Sequence, residues 1–219
     1  DSKNIESKIL RFSYEDLHKN TDINYEFVAM GLRNSWKFSF DESNGDVFVP
    51  DIGQTTWEEL NFVSNDRFLE ANSENLLNFG WYHFEGFDCN YPGKIHLNET
   101  DKCENSNFIF PVYAYPHGDL GYSITGGVVY RGDKYLDWQG VYFFSDWVSG
   151  RIMALKKDQN ANWLLSELYT TGINFSFIDQ GLDGEILMLD YTNGRILNFI
   201  PPTYNSAAFY PIEFFLKKE

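Results

Sequence analysis

The chain lacks most of what marks a membrane, nucleic-acid or long-helical protein. No apolar stretch approaches the roughly 20 residues that a membrane-spanning helix needs. Positive charge is scarce: 17 Lys and Arg stand against 32 Asp and Glu, a net charge of −15. Such a surface repels nucleic acid and anionic membranes, because phosphate binding needs clustered cations. No segment sustains a 3.6-residue apolar period; the best helical candidate, Ser13 to Lys19, is only about two turns long. The first eight residues, DSKNIESK, lack the apolar core of a signal peptide, which reads as a mature or truncated start.

Cysteine is nearly absent too. Cys89 and Cys103 are the two, bracketing a polar, aromatic run. The even count and short spacing read as a disulfide closing an inserted loop at 87–104, with two unrelated free thiols as the alternative. Closing such a loop contributes ~3 kcal/mol by chain-entropy reasoning. It also points to an oxidising compartment, periplasmic or extracellular. No Cys-x-x-Cys or His pair completes a metal site around them. Two glycosylation sequons, at Asn98 and Asn174, would matter in a eukaryotic source.

Aromatic residues, in contrast, are abundant: 20 Phe, 14 Tyr and 6 Trp. They favour strands, since these rings pack well on a pleated surface. Three segments follow one template, Gly45-Asp-Val-Phe-Val-Pro-Asp51, Gly140-Val-Tyr-Phe-Phe-Ser-Asp146 and Gly184-Glu-Ile-Leu-Met-Leu-Asp190. Each is a glycine, a short apolar strand, then Asp six residues on. Gly150-Arg-Ile152 and Gly194-Arg-Ile196 follow the second and third at one offset, and Trp57 holds the matching apolar position in the first. This is the chemistry of a strand, a tight turn capped by Asp, and a returning strand. Asp146 and Asp190 are 44 residues apart, and Asp51 and Asp146 are 95 apart. The longer gap leaves room for an unrecognised unit between Asn78 and Tyr115. A period near 45 with several short strands predicts an all-β propeller of four-stranded antiparallel blades. The whole of 1–219 then reads as a single, partial propeller domain of about four blades, with open edges that further blades or a second chain would cover.

Ordered motifs add a family resemblance. Gly31-Leu-Arg-Asn-Ser-Trp36 resembles the Gly-Leu-Arg-Asn-Pro-Trp signature of the glucose/sorbosone dehydrogenase family, with Ser35 in place of Pro. Asp51-Ile-Gly-Gln54 with Trp57-Glu-Glu-Leu-Asn61 is similar to its next motif. Asn78-Phe-Gly-Trp81 with Glu85-Gly86, Pro111 to His117, Ser123 to Gly127 with Tyr130-Arg-Gly132, and Ser149 to Ile152 continue it in order. The resemblance implies a six-bladed propeller whose first two blades would precede Lys8.

It also implies a chemistry, oxidation of an aldose sugar with hydride passing to pyrroloquinoline quinone (PQQ) beside Ca²⁺. On that resemblance Arg33 is the catalytic cation at the quinone carbonyl and Asn34 a cofactor contact. The carbonyls of Gly53 and Gln54 would present oxygen to the cofactor's Ca²⁺, and Glu59 would ligate a second, structural Ca²⁺. The family's catalytic histidine belongs to the preceding blades; none of His18, His83, His96 and His117 stands in its motif. The basic residues that hold the quinone carboxylates are replaced by Asp146-Trp-Val-Ser149 and Asn174-Phe-Ser176. Arg131, Arg151 and Arg195 are expected to pair with neighbouring acids rather than substitute.

Plainer readings accompany these. Arg33 serves equally to bridge blades, Gly53 to make a turn and Gln54 to cap it. Trp81, Trp138 and Trp147 can stack on sugars but more often pack between blades. Asp41 to Asp46 has the composition of a Ca²⁺ loop, yet a hairpin turn explains it. The expected classes are a quinone-dependent sugar dehydrogenase of which this is one part, a non-catalytic propeller binding a protein or carbohydrate, as in the similar Hedgehog-interacting-protein propeller, and a Ca²⁺-binding structural domain.

Overall fold

The computed structural model describes residues 5–18, 23–89 and 107–212. Cys103, His96 and the Asn98 sequon lie outside them. In chain order the first strands are β1 (Lys8–Phe12), β2 (Tyr25–Met30), β3 (Ser39–Phe40), β4 (Val47–Asp51) and β5 (Trp57–Val63). A short helix α1 (Asn65–Glu70) leads to β6 (Leu77–Asn78), β7 (Phe84–Glu85), β8 (Asp88–Cys89) and β9 (Tyr113–Pro116). Then follow β10 (Ile124–Val129), β11 (Tyr142–Asp146), β12 (Arg151–Lys157) and β13 (Trp163–Thr170). The last are β14 (Phe175–Gln180), β15 (Ile186–Asp190), β16 (Arg195–Asn198) and β17 (Tyr210–Pro211). The helical candidate at 13–19 is a single 3-10 segment, Tyr14–His18, with no buried residue to hold a longer helix.

Four sheets succeed one another as propeller blades. Their orders are β1-β2-β6, β3-β4-β5-β9, β10-β11-β12-β13-β17 and β14-β15-β16; β7 and β8 form a separate hairpin. The repeat template marks the second strand of the last three blades, β4, β11 and β15. Their leading glycines, Gly45, Gly140 and Gly184, take φ of 78°, 81° and 78°, a conformation that costs any other residue strain.

The fourth blade is not where the 95-residue gap suggested. It precedes the first repeat, as β1 and β2. The stretch from Asn78 to Tyr115 makes no blade of its own among the described residues. Asn78 pairs in parallel with Met30 of the first blade, and Tyr113 to Pro116 become the outer strand of the second. The gap is therefore one blade period enlarged by an insertion.

Burial follows the period-two alternation of a doubly covered strand. On β4, Val47 and Val49 enter the core between the first two blades, while Phe48 faces the third. On β11, Tyr142 and Phe144 join Phe48 in the second core, and Phe143 turns into the third with Ile178 and Met188. Phe48 stacks on Tyr142 at 4.3 Å between ring centroids, across the blade boundary. Three cores thus cement four sheets, each buried ring of this kind contributing roughly 1.5–3 kcal/mol.

Candidate functional site

Two of the three repeat Asp residues, Asp51 and Asp146, tie down more than their own turns. The Asp51 carboxylate accepts the backbone N–H of Arg33 and of Asn34, each at 2.7 Å. Asp146 does the same for Tyr122 and Ser123, at 2.9 and 2.7 Å, and also takes the N–H of Val148 and Ser149 and the Tyr115 hydroxyl. The segments entering the second and third blades are thereby pinned against the ends of their second strands. Backbone bonds repeat the clip: Ile52 N–H to Asn34, Trp147 N–H to Ser123 and Tyr191 N–H to Asn174.

These equivalent positions converge on one cavity of about 510 Å³. Ile52, Trp147 and Tyr191, each the residue after a repeat Asp, form one part of its wall. Trp36, Thr125 and Ser176, each two residues beyond the clipped Asn34, Ser123 and Asn174, form another, with Ser123 and Ile124 between. Trp36 donates its indole N–H to the Ser176 carbonyl at 3.0 Å, and Trp147 meets Tyr191 edge to face at 5.0 Å. The wall is aromatic and hydroxylic, and none of these lining residues carries a charge. Sequence reading singled out Trp147 but missed Trp36 and Tyr191. The signal was present: the position following the repeat Asp carries Ile, Trp and Tyr in turn.

The sequence-derived residues lie beside this cavity rather than in it. Arg33 and Asn34 open onto a smaller cleft of about 210 Å³ shared with Lys8 and Ser35. Arg33 donates Nη1 to the carbonyls of Gly53 (2.8 Å) and Ile52 (3.2 Å), and Nε to Gln54 Oε1 (2.9 Å). Arg33, Gly53 and Gln54 are therefore one group, and Asn34 is tied beside it by its N–H to Asp51 and its carbonyl to the Ile52 N–H. On the loop's other side Glu85 Oε1 accepts the N–H groups of Thr55, Thr56 and Trp57 at 2.8, 2.7 and 3.1 Å. Gly53 is required by close approach: a Cβ there would sit 1.7 Å from the Trp57 carbonyl oxygen.

Glu59 faces elsewhere, accepting Gly86 N–H at 2.6 Å and Asn61 Nδ2 at 3.3 Å. Burial, reinforced by Asp51 and Glu85, pushes its carboxyl up to about 8. Burial likewise raises Glu58 to about 8 and Asp51 to about 7. Burial would raise Glu85 as well, but the amides it accepts outweigh it and hold the carboxyl low. Asn61 Oδ1 and Glu85 Oε2 are buried acceptors without a partner. This is an oxygen-rich, proton-hungry pocket, though among the described residues no three acid, His or Cys side chains gather closely enough to hold a metal ion.

The fit to PQQ and its Ca²⁺ is poor. A tricarboxylate needs cations. Lys37, nearest in sequence to Trp36, instead binds the Ile178 carbonyl and Asp179 and lies over the Phe177 ring. Arg131 pairs with Asp41 (2.5 Å), Arg151 with Glu167 (2.6 Å) and Arg195 with Asp190 (2.6 Å), leaving none of the three turned to the cavity wall. The Gly53 carbonyl is engaged by Arg33. His117 bonds Glu58 at 2.7 Å and is not among the residues that line the cavity. Trp138 is buried in the core between the third and fourth blades. The Asp41 segment is the β3–β4 hairpin turn, closed by Gly45 N–H to the Asp41 carbonyl at 2.7 Å. The Asn174 amide donates to the Trp147 carbonyl at 2.7 Å and so is engaged in the wall. Cys89 ends β8.

Comparison with known proteins places this arrangement. A glucose dehydrogenase crystal structure superposes with a TM-score of 0.66 at 16% identity, covering 92% of this chain and 56% of that one. The PQQ-bound aldose sugar dehydrogenase of Streptomyces coelicolor gives 0.58 at 18% identity, covering 90% and 53%. The HIPL1 protein of Arabidopsis thaliana is 33% identical over 134 residues, 58% of this chain and 18% of that protein. The chain thus spans about half of those solved structures and under a fifth of that relative. The sequence profile of Glucose / Sorbosone dehydrogenase matches residues 15–198, which contain β2 to β16, and by that match the chain belongs to the glucose/sorbosone dehydrogenase family.

Proposed function

We propose that this chain is the part of a glucose/sorbosone dehydrogenase-family propeller that holds an uncharged carbohydrate at the blade mouths, as a binding module rather than a quinone enzyme in itself. The observation that carries this reading is the wall of Trp36, Trp147 and Tyr191 set among Ser123, Thr125 and Ser176. Aromatic faces take the C–H face of a pyranose and hydroxyls its rim, whereas nothing in that wall neutralises an anion. The acidic chain, at −15, disfavours anionic ligands further. Titrating mono- and oligosaccharides into the protein while following tryptophan fluorescence tests the proposal. Saturable quenching, lost in Trp147→Ala without loss of folding, is expected. No response to any saccharide would sink it.

Quinone-linked oxidation of an aldose is the second reading, favoured by the PQQ-bound relative of the same fold. It needs a base and cations from outside the described residues, supplied by further blades or a second chain. A protein ligand at the same mouth is what the resemblance to the Hedgehog-interacting-protein propeller implies. Under either reading we place the protein outside the cytoplasm, with Cys89 and Cys103 joined across the 87–104 loop.

A further inference from the structure

We propose that the Arg33 guanidinium is the resident cation of the 52–57 loop, filling in cis the carbonyl array that a calcium ion would otherwise take. Three oxygens of one loop, those of Ile52, Gly53 and Gln54, converge on this single side chain. Such a cluster of carbonyl and amide oxygens is what a hard cation seeks. A guanidinium meets it with fixed, diverging donors and never deprotonates, so its occupancy does not depend on pH or on supply. The loop's amides point the opposite way, into Glu85. One peptide segment is thus polarised between a cation on its carbonyl side and a carboxylate on its amide side.

The surroundings fit one positive charge and not three. Asp51, the acid immediately preceding the loop, spends both oxygens on the Arg33 and Asn34 amides. Ca²⁺ takes six to eight oxygen ligands. Here it would have to displace Arg33 from Gly53 and then sit beside the displaced charge. Arg33 is accordingly a positioning residue: it sets the loop whose Ile52 lines the cavity. The inference is independent of which ligand that cavity takes.

Calcium binding by calorimetry, measured on a Glu59→Gln background to remove the other oxygen-rich pocket, tests it. The Arg33 chain is expected to show no saturable binding up to ~1 mM, the weak end for calcium modules. Arg33→Met is expected to melt lower by roughly 5 °C or more, from the loss of charged hydrogen bonds. It should also gain a saturable calcium site and recover its melting temperature with either Ca²⁺ or low guanidinium. Should Arg33→Met fold too poorly to melt, refolding yield with and without those two cations gives the same comparison. Equal calcium binding by both chains, or no rescue of the variant by either cation, would overturn the proposal.

Discussion

Asp146 shows how much a single repeat position can carry. It is fully buried, yet six donors from three segments reach it, including Tyr115 of the neighbouring blade. Asp190 occupies the same repeat position but bonds only its own turn, through Asn193 and Arg195. Asp146→Ala is therefore expected to cost on the order of 3 kcal/mol or more, and Asp190→Ala clearly less, in urea unfolding. Equal losses would show that the clip on the entering segment contributes nothing. Glu59 gives a pH prediction of definite sign. Its folded carboxyl is raised by burial from 4.5 to about 8, so its favourable contribution is complete below 4.5 and lost as pH rises through 8. Glu58 acts in the same direction. Asp41, which burial would raise but Arg131 and Ser43 hold low, works oppositely and loses its contribution on acidification. The melting temperature should fall between about pH 5 and pH 8, the range set by Glu58 and Glu59. Glu59→Gln, whose amide can also reach the orphaned Asn61 acceptor, should flatten that slope. A melting temperature that rises over this range would contradict the assignment.

At the scale of elements, the hairpin template was legible because its chemistry is local. Gly140, the apolar run to Ser145 and Asp146 together specify a turn, a doubly buried strand and a cap without outside help. The first blade was not legible, because β1 and β2 lack the template and their pairing spans an intervening segment. The insertion was misread for a similar reason. Asn78-Phe-Gly-Trp81 has blade-like composition, but Asn78 is used in a two-residue parallel pairing with Met30. Arg33 was legible as important, and its use was not: only folding reveals that its acceptors are Ile52, Gly53 and Gln54. The cavity was half legible, since a repeat in sequence becomes a ring of equivalent positions, and the residue after each Asp was open to view. The inserted loop yields its own prediction. With Cys89 and Cys103 joined, reduction should lower stability by ~3 kcal/mol, and intact mass with alkylation should find no free thiol beforehand. Two alkylated cysteines in the native protein would exclude the bridge.

For the whole molecule, four blades with three cores between them leave two outward faces. Leu189 and Ile196 are paired across the last blade and are exposed, as are Phe12 and Tyr25 across the first. Exposed cross-strand apolar pairs of this kind suit burial against further blades. The glucose dehydrogenase fold, of which this chain covers 56%, has the remaining length. Fold and chemistry part here: the architecture is that of the glucose dehydrogenases, while the described cavity wall is neutral and the carbonyls of Ile52 and Gly53 are held by Arg33. The most direct test is calorimetric titration of the protein with PQQ and calcium together, set against titration with a saccharide that quenches its tryptophans. The account predicts saturable binding of the saccharide and none of the quinone. Saturable, calcium-dependent binding of PQQ by this chain would contradict it.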